Sequence, residues 1–397
     1  MLAHLKAQRT GRAIRKALDE IPESLNATYE AMLCRISSTD QEYAKRALMW
    51  LSFCERPLTI EELNEAVILE ESCTDIDEDD KFYSPNLLLE ICHGIVHYDK
   101  GLVVLAHFSV KTFLTSDWIK TSHAASFALD RSNSQAQIGR LCLTYLKMDA
   151  FSKTLPTHTA ALWDSLEKYP LLDYASHYWP IHTSASGTTQ NDKLINAFFE
   201  TGYPCGGANF SYWVLCLLPE KPISLIQATS PLYFAASFGL VSVIEYLANK
   251  HPDIDLDAQG GRYGLTPLLI ACRRERTKVV GALLKLGASP DARRGYHAAF
   301  AHVVNPSGRT GTYDLVRLRH ELGLDGFRKS EEVQRIIDLA PETPPFQLPF
   351  IGLREWLRQE MFTQKRTSQK TANQASEFTS DMYLNPPYEG FVAWKTR

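Results

Sequence analysis

The feature that most constrains the fold is the stretch from Leu18 to Leu114, where signals for helices and then strands follow one another in a definite order. Apolar residues recur every three or four positions between Ile21 and Ile36 and again between Glu42 and Phe53, which predicts two helices. The second helix carries a broad apolar stripe that includes Tyr43 and Trp50. A stripe of this width is typical of a helix buried between two neighbours.

The next signal in this stretch is a helix start. Thr59 and Glu62 stand three positions apart, the spacing of a capping box, in which each side chain accepts a hydrogen bond from a free backbone N–H of the first turn. A third helix is therefore predicted, with its core residues between Leu63 and Leu69. A serine followed by a proline then predicts a fourth helix from Ser84 to Cys92.

A hairpin closes the stretch. Two predicted strands, Gly94 to Tyr98 and Leu102 to His107, flank Asp99-Lys100-Gly101, a connection of hairpin length with glycine at the left-handed position. Ser109 is predicted to cap one more short helix, Val110 to Leu114. Helices followed by a two-stranded hairpin predict a winged helix.

Three blocks of this stretch resemble a known family. Leu18 to Tyr29 (LDEIPESLNATY), Ala47 to Leu63 (ALMWLSFCERPLTIEEL) and Ala106 to Leu114 (AHFSVKTFL) are similar to the winged-helix module named after GPI inositol-deacylase, which follows the NACHT domain in fungal NLR-like (STAND) proteins. In that family the winged helix helps to hold the nucleotide switch closed, and repeats sense a ligand or partner. The resemblance implies that a NACHT domain would precede Met1 and is absent from this chain.

Composition and cysteine usage restrict the class of protein. A net charge of −4 predicts no general affinity for nucleic acid or anionic membrane, and no apolar run is long enough to cross a bilayer. The eight cysteines form no Cys-x-x-Cys pair, which is typical of free thiols in a reducing compartment. The predicted location is cytoplasmic, with the nucleus as an alternative.

Repeats are predicted in the second half of the chain. Ser230-Pro231-Leu232 and Thr266-Pro267-Leu268 stand 36 positions apart, close to the ankyrin period of about 33. The hydroxyl residue caps the first helix of each unit and proline fits its first position. A third, degraded copy without this start is expected around Leu315 to Asp325. Because so few repeats are near the lower limit for a stable stack, we expect the array to use the preceding helices as one cap.

The predicted fold is mainly α: a winged helix with a small β-hairpin, a helical connector and a short ankyrin solenoid. The predicted core of the connector consists of the apolar face of a helix, Ile138 to Leu146, and of an aromatic block, Tyr169 to His182. A polar loop, Thr183 to Gln190, is predicted to follow. The predicted boundaries are a helical linker (1–17), the winged helix (18–116), the connector (117–226), the repeats (227–327) and short helices with a disordered tail (328–397).

The motifs of common enzymes are missing, so no catalytic, cofactor or metal site is predicted. No glycine is followed by lysine, which excludes a P-loop, and no Gly-x-Ser-x-Gly elbow supports a lipase or deacylase activity. Asp75-x-Asp77-x-Asp79 imitates a calcium loop, but Asp80 and Asn86 stand where glycine and glutamate are required. Cys92, His93, His97 and His107 match no zinc spacing.

Binding of DNA is disfavoured by charge. The predicted reading helix, Ser84 to Cys92, has no basic residue, and neither has Thr59 to Asp80, which carries ten carboxylates. Such a surface would repel phosphates. Two rival interpretations stay open: a nucleic-acid-binding regulator, and an enzyme with unrecognised chemistry in residues 117–225.

One basic cluster in the second repeat is the predicted binding site for a protein partner, and an acidic partner would suit it because guanidinium groups pair well with carboxylates. The alternative is an ordinary solvated face. The predicted site residues are Arg262, Tyr263, Arg273, Arg274, Arg276, Arg293 and Arg294.

Overall fold

The computed structural model describes residues 24–289 except 93, 188–190, 205–206, 262–263 and 275, and it gives no side-chain environment for 159, 272 and 273. The predicted linker helix (1–17), the degraded third repeat and the tail (328–397) lie outside the described residues. Two compact units divide the described part: one holds 24–155 and 169–289, and the other holds 156–168.

The winged-helix region contains the predicted helices. Ser24 caps the first helix by accepting from Ala27 N at 3.1 Å. The capping box at the third helix is confirmed: Thr59 Oγ1 accepts from Glu62 N, and Glu62 Oε2 accepts from Thr59 N. The elements are α1 (Leu25–Leu33), α2 (Gln41–Phe53), β1 (Leu58–Thr59), α3 (Ile60–Ile68), α4 (Leu87–Ile91), β2 (Val96–Asp99), β3 (Leu102–Leu105) and α5 (Phe108–Leu114).

The sheet has three strands where the sequence predicted two. Its order is β1-β3-β2, all antiparallel, with Leu58 opposite Val103 and Thr59 opposite Leu102. The two residues of β1 were missed because they carry no alternation of their own and are specified only by pairing with β3. Gly101 has the predicted positive φ of 87°, and Lys100 also has a positive φ, 50°.

Two predicted helix starts were wrong. The fourth helix begins at Leu87 rather than at Ser84. The Pro85 carbonyl accepts a hydrogen bond from the side chain of Asn64, at Nδ2. The first α-helical hydrogen bond is donated by Glu90 N to the Asn86 carbonyl. The helix predicted at Val110 begins at Phe108, and its cap is His107, whose Nδ1 accepts from Ser109 N.

Ser109 and Tyr43 also differ from their predicted roles. Ser109 lies in the first turn of α5, where its hydroxyl is hydrogen-bonded to Tyr29 OH at 2.8 Å and ties α5 to α1. Tyr43, predicted on the buried stripe of α2, is 38% exposed, because its ring packs edge-on against Phe82 at the surface.

The connector is helical, as predicted, and α7 (Arg131–Leu146) and α9 (Leu172–Ala185) form its centre. The predicted face of α7, from Ile138 to Leu146, is buried. A Cβ at Gly139 would lie 2.8 Å from Thr183 Cγ2, so glycine permits the close approach of the two helices. The connector helices of the first unit are α6 (Asp117–Lys120), α7 (Arg131–Leu146), α9 (Leu172–Ala185), α10 (Asp192–Glu200), α11 (Ala208–Leu217) and α12 (Ile223–Ala228).

The polar loop predicted from Thr183 begins later, because α9 continues through Pro180 to Ala185. The Thr183 hydroxyl donates to the Pro180 carbonyl at 3.1 Å, which gives this carbonyl a partner inside the last turns. The second compact unit contributes one described helix, α8 (Thr159–Lys168), in which Trp163 Nε1 donates to Glu167.

The ankyrin helices follow the connector directly. Ser230 accepts from Leu232 N with Pro231 in the first turn, and Thr266 accepts from Leu269 N, so both predicted starts are confirmed. Gly287 ends the last helix with φ 101°. The helices are α13 (Pro231–Phe238), α14 (Val241–Lys250), α15 (Pro267–Arg273) and α16 (Thr277–Leu286).

Candidate protein-interaction site

A short finger lies between α14 and α15, and the inner helix of the first repeat positions it. Gly260 N donates to the Leu265 carbonyl at 3.0 Å, and glycines 261 and 264 have positive φ. Gly261 N donates to Thr229 Oγ1 at 3.4 Å, and a Cβ at Gly261 would lie 2.0 Å from the Tyr233 ring. Glycine is therefore required where the finger rests on Tyr233.

The carboxylate of Asp257 secures the start of the next unit. It accepts from Ser289 N at 3.0 and 3.2 Å. Partial burial raises the pKa of Asp257, and the Ser289 hydrogen bond opposes this. Gly261 and Thr229 are also 32 positions apart, so hydrogen bonds join neighbouring segments at two different places along the repeats.

The predicted basic cluster is only partly described. Arg276 precedes α16, where its Nε donates to the Ser237 carbonyl at 3.4 Å and its side chain covers Gly239, whose φ is 82°. Burial lowers the pKa of Arg276. Arg276 therefore joins the two repeats as well as belonging to the predicted site.

Of the other predicted residues, Arg274 is half-buried just after α15, and its backbone N–H donates to the Ile270 carbonyl. Arg273 ends α15, with no side-chain environment described. The remaining four, Arg262, Tyr263, Arg293 and Arg294, lie outside the described residues.

An aromatic cluster joins the connector to the first repeat. Trp213 of α11 lies 5.1 Å from Phe234 and 5.7 Å from Phe238 of α13, measured between ring centroids. Apart from half-buried Phe238, the rings are buried, and the contacts continue into α9 and α10. The cluster consists of Trp179, Phe198, Phe199, Phe210, Trp213, Phe234 and Phe238.

A polar contact reinforces this junction at the surface. Glu200 of α10 accepts from Lys250 Nζ at 2.5 Å and from Tyr246 OH at 2.7 Å, both on α14. The hydrogen bond from Lys250 is the main reason why the pKa of Glu200 is lowered. His251 stacks on Tyr203 with the ring centroids 3.9 Å apart. The connector therefore contacts the repeats through both apolar and charged groups.

The winged helix and the connector meet along a seam, defined as the contacts of residues 55–75 with residues 135–151 and 169–182. At its centre Arg56 donates to both carboxylate oxygens of Glu62 at 2.8 Å and to Asp173 at 3.1 Å. Its guanidinium also lies over the rings of Tyr174 and Tyr178, 5.2 and 5.9 Å from their centroids. Burial by itself would lower the pKa of Arg56, but the bonds and charge of Glu62 and the charge of Asp173 outweigh it and raise this pKa.

A second buried carboxylate crosses the seam. Glu65 accepts from Tyr145 OH at 2.6 Å and from Leu171 N at 2.8 Å. Burial, followed by the charge and hydrogen bond of Glu65, raises the pKa of Tyr145 far above its ordinary value. Both groups therefore join the winged helix to the connector through buried hydrogen bonds.

A buried histidine completes the seam. Tyr174 OH accepts from Glu55 N at 2.9 Å and is hydrogen-bonded to His182 Nε2 at 2.8 Å, while His182 Nδ1 contacts Gln135 Oε1. Burial lowers the pKa of His182 to about 3. No local pattern predicted the contacts of Tyr174 with Glu55 and of His182 with Gln135, because these partners lie 119 and 47 positions apart.

The acidic surface of the winged helix is smaller than the sequence suggested. Glu62 and Glu65, two of the ten carboxylates between Thr59 and Asp80, are buried and bonded inside the protein. The other eight are exposed, and arginines pair with two of them: Arg46 with Glu70 at 3.2 Å and Arg140 with Glu71 at 2.7 Å.

The described residues offer neither a metal site nor a membrane-spanning helix. In this part of the chain, no group of three or more His, Cys, Asp or Glu residues is placed to hold a metal ion. None of its helices is long and apolar enough to cross a membrane. The six cysteines whose side chains are described are free thiols, as predicted, and burial raises the pKa of Cys92 and Cys216 to about 12.

Two families of known domains match the chain. The family described as GPI inositol-deacylase, winged helix domain, matches residues 29–130. The family described as ankyrin repeats (3 copies) matches residues 209–294, from within α11 onward. The chain therefore contains a winged-helix domain of this type followed by ankyrin repeats, and its fold is mainly helical with one small sheet.

Among the curated proteins that match, one shares a long similarity with the chain and another a short one. The chain is 29% identical over 301 residues to the azaphilone pigments biosynthesis cluster protein L of Monascus ruber, a match covering 68% of this chain and 61% of that protein. The match thus spans less than two thirds of that relative. A match of 59 residues, 42% identical, to the human transient receptor potential cation channel subfamily A member 1 covers 15% of this chain and 5% of the channel. No solved structure matches the chain.

Proposed function

We propose that this chain is a non-enzymatic scaffold whose ankyrin repeats bind a protein partner, with the winged helix and connector as their base. The observation that carries the proposal is the continuity of buried contacts: the seam joins the winged helix to the connector, and the aromatic cluster joins the connector to the first repeat. Ankyrin stacks bind partners through their fingers and inner helices. The buried titratable groups of the seam bond to one another, which supports a structural role for them.

The partner that we propose is an acidic protein segment. Between Gln259 and Leu286 the chain has six basic side chains and one acidic side chain, Glu275. Guanidinium groups form paired hydrogen bonds with carboxylates, so this part of the repeats suits a segment rich in Asp or Glu. The cytosol, with the nucleus as the alternative, is the proposed location, and the free thiols support it.

Binding of a fluorescent Glu/Asp-rich peptide to the full chain tests this function. The double variant Arg262→Glu/Arg273→Glu should weaken binding at least about tenfold, because two attractive charges become repulsive. Arg276 is left unchanged since it joins the repeats. The control Arg35→Glu/Lys100→Glu makes the same charge change at exposed winged-helix positions. Equal loss in both variants, or no loss in either, would contradict binding by the repeats.

A second candidate is favoured by the winged-helix match: the chain is the C-terminal part of a STAND-type receptor. In that case its repeats would sense a ligand for a nucleotide switch encoded upstream. Transcript sequencing across the region before the Met1 codon tests this. A continuous frame containing Gly-Lys-Ser/Thr would support the receptor, and a stop codon in frame would refute it.

The nucleic-acid alternative has a weaker basis. The described reading helix, Leu87–Ile91, carries Glu90 and no basic residue, and the exposed carboxylates of residues 70–80 flank it in sequence. Neutralisation of phosphates by basic side chains supplies most of the non-specific affinity of a protein for nucleic acid. Nucleic-acid binding that falls steeply with salt concentration would support this function.

A further inference from the structure

The loop that follows α3 presents one hydroxyl group in an unusual setting. Thr74 is exposed, and its hydroxyl makes no hydrogen bond to any described residue. The backbone around it is irregular, since α3 ends at Ile68 and the next element is a single turn at Glu78–Asp80. An exposed side chain on irregular backbone is accessible to a modifying enzyme.

The charged residues that flank Thr74 in the sequence are all acidic. Asp75, Asp77 and Glu78 follow it at the first, third and fourth positions, and all three are exposed. No lysine, arginine or proline occurs from Leu69 to Asp80. A kinase that selects substrates with its own lysine and arginine side chains would bind this segment, whereas one that requires basic residues or proline beside the acceptor would not.

We propose that Thr74 is a phosphorylation site for an acidophilic serine/threonine kinase. In the reaction, Thr74 Oγ1 forms a bond to the γ-phosphorus of ATP, and the bond from that phosphorus to the β–γ bridging oxygen breaks. ADP leaves, and the hydroxyl proton passes to the catalytic base of the kinase.

The position of Thr74 gives the modification a consequence, because its backbone belongs to the seam. The Thr74 carbonyl accepts from Asp149 N at 2.9 Å, and nearby Glu71 pairs with Arg140 of α7. A phosphate adds a charge of about −2 beside Asp75 and near the exposed Asp149. Repulsion among these groups weakens the outer part of the seam while the buried bonds of Arg56 stay in place.

The first experiment is phosphorylation of the purified full chain with an acidophilic kinase of the casein kinase 2 type and Mg-ATP, followed by mass spectrometry. We expect phosphate on Thr74 and none at this position in Thr74→Val, which keeps the branched shape of the side chain. In Asp75→Asn/Asp77→Asn the rate should fall at least about tenfold, since both recognised charges are lost. Asparagine retains the oxygens that accept from Ile76 N and Asp79 N, so the loop should keep its conformation.

The control Glu90→Gln/Asp99→Asn removes the same charge at exposed positions and should leave the rate unchanged. Absence of phosphate from Thr74, while the kinase modifies its reference peptide, would overturn the proposal. An unchanged rate in Asp75→Asn/Asp77→Asn would overturn recognition by the acidic side chains.

Hydrogen exchange tests the consequence. The backbone amide of Asp149 should exchange about tenfold faster in the phosphorylated chain than in the unmodified chain, because its acceptor, the Thr74 carbonyl, belongs to the loosened loop. The amide of Leu171, which donates to buried Glu65, should keep its rate and serves as an internal control. Equal exchange of the Asp149 amide with and without phosphate would refute an effect on the seam.

Discussion

At the residue scale, Arg56 has the largest predicted effect on stability. It is the shared partner of two buried carboxylates, those of Glu62 and Asp173. Replacing it by methionine would leave both carboxylates buried without this cation, and loss of one partner from a buried pair costs about 3–5 kcal/mol. Arg56→Met should lower the free energy of unfolding by about 3 kcal/mol, measured by urea denaturation.

Lys81→Met is the matched control for Arg56→Met. Lys81 pairs with Glu78 at 2.9 Å at the surface, where both side chains meet solvent. Its loss should change the free energy of unfolding by less than about 0.5 kcal/mol. Similar effects of the two variants would show that the Arg56 contacts contribute no more than a surface ion pair.

His182 gives the chain a pH dependence whose direction follows from its pKa. Burial lowers this pKa to about 3, while an unfolded histidine has a pKa of about 6.5. The unfolded chain therefore binds more protons between these values, so stability is fully present above about pH 6.5 and falls as the pH decreases toward 3. From pH 7 to pH 5 this group should remove about 2 kcal/mol from the free energy of unfolding.

The measurement compares the native chain with His182→Gln, which keeps polar atoms for Tyr174 and Gln135 but does not titrate. Urea denaturation at both pH values should show a smaller loss for the variant, by about 2 kcal/mol. Equal losses would mean that another group accounts for the pH dependence.

At the element scale, the capping box of α3 should contribute measurable stability. Thr59→Ala removes the oxygen that accepts from Glu62 N, so it should cost about 1 kcal/mol. The denaturant midpoint gives this value if the slope is unchanged. Thr59→Ser keeps the oxygen and should cost less than about 0.5 kcal/mol. If alanine were tolerated as well as serine, the cap would contribute nothing to stability.

Most elements with local signals were predicted from the sequence, the cap of α5 excepted, whereas those specified by distant partners were missed. The capping box and the Ser-Pro and Thr-Pro repeat starts are each complete within a few residues, and the structure confirms them. Strand β1 exists through pairing with β3, more than 40 positions away. The start of α4 depends on Asn64 reaching Pro85, and no local pattern contains that contact.

The candidate site shows the same division. A cluster of arginines is visible in the sequence because charge is a property of each residue. The contact of Arg276 with the Ser237 carbonyl depends on the stacking of two repeats, and the contact of Arg56 with Asp173 spans 117 positions. Such contacts can be identified only once the packing of the helices is known.

At the scale of the whole molecule, the connector links the two recognised domains through different chemistry on its two sides. Its contact with the winged helix depends on buried charges around Arg56 and Glu65. Its contact with the repeats depends mainly on the aromatic cluster around Trp213. Removal of the connector would therefore expose the apolar end of the ankyrin stack.

This arrangement predicts that the repeats depend on the connector for folding. In a fragment of residues 227–327, Phe234 and Phe238 would lose their contacts with Trp213, and loss of a large aromatic partner costs about 3–5 kcal/mol. We expect that fragment to melt without cooperativity or well below the intact chain, as followed by circular dichroism. The matched fragment 169–327 retains α9, α10 and α11 and should regain a cooperative transition. A cooperative melt of 227–327 at the temperature of the intact chain would show that the repeats need no cap from the connector, whereas failure of both fragments would extend the dependence to the seam itself.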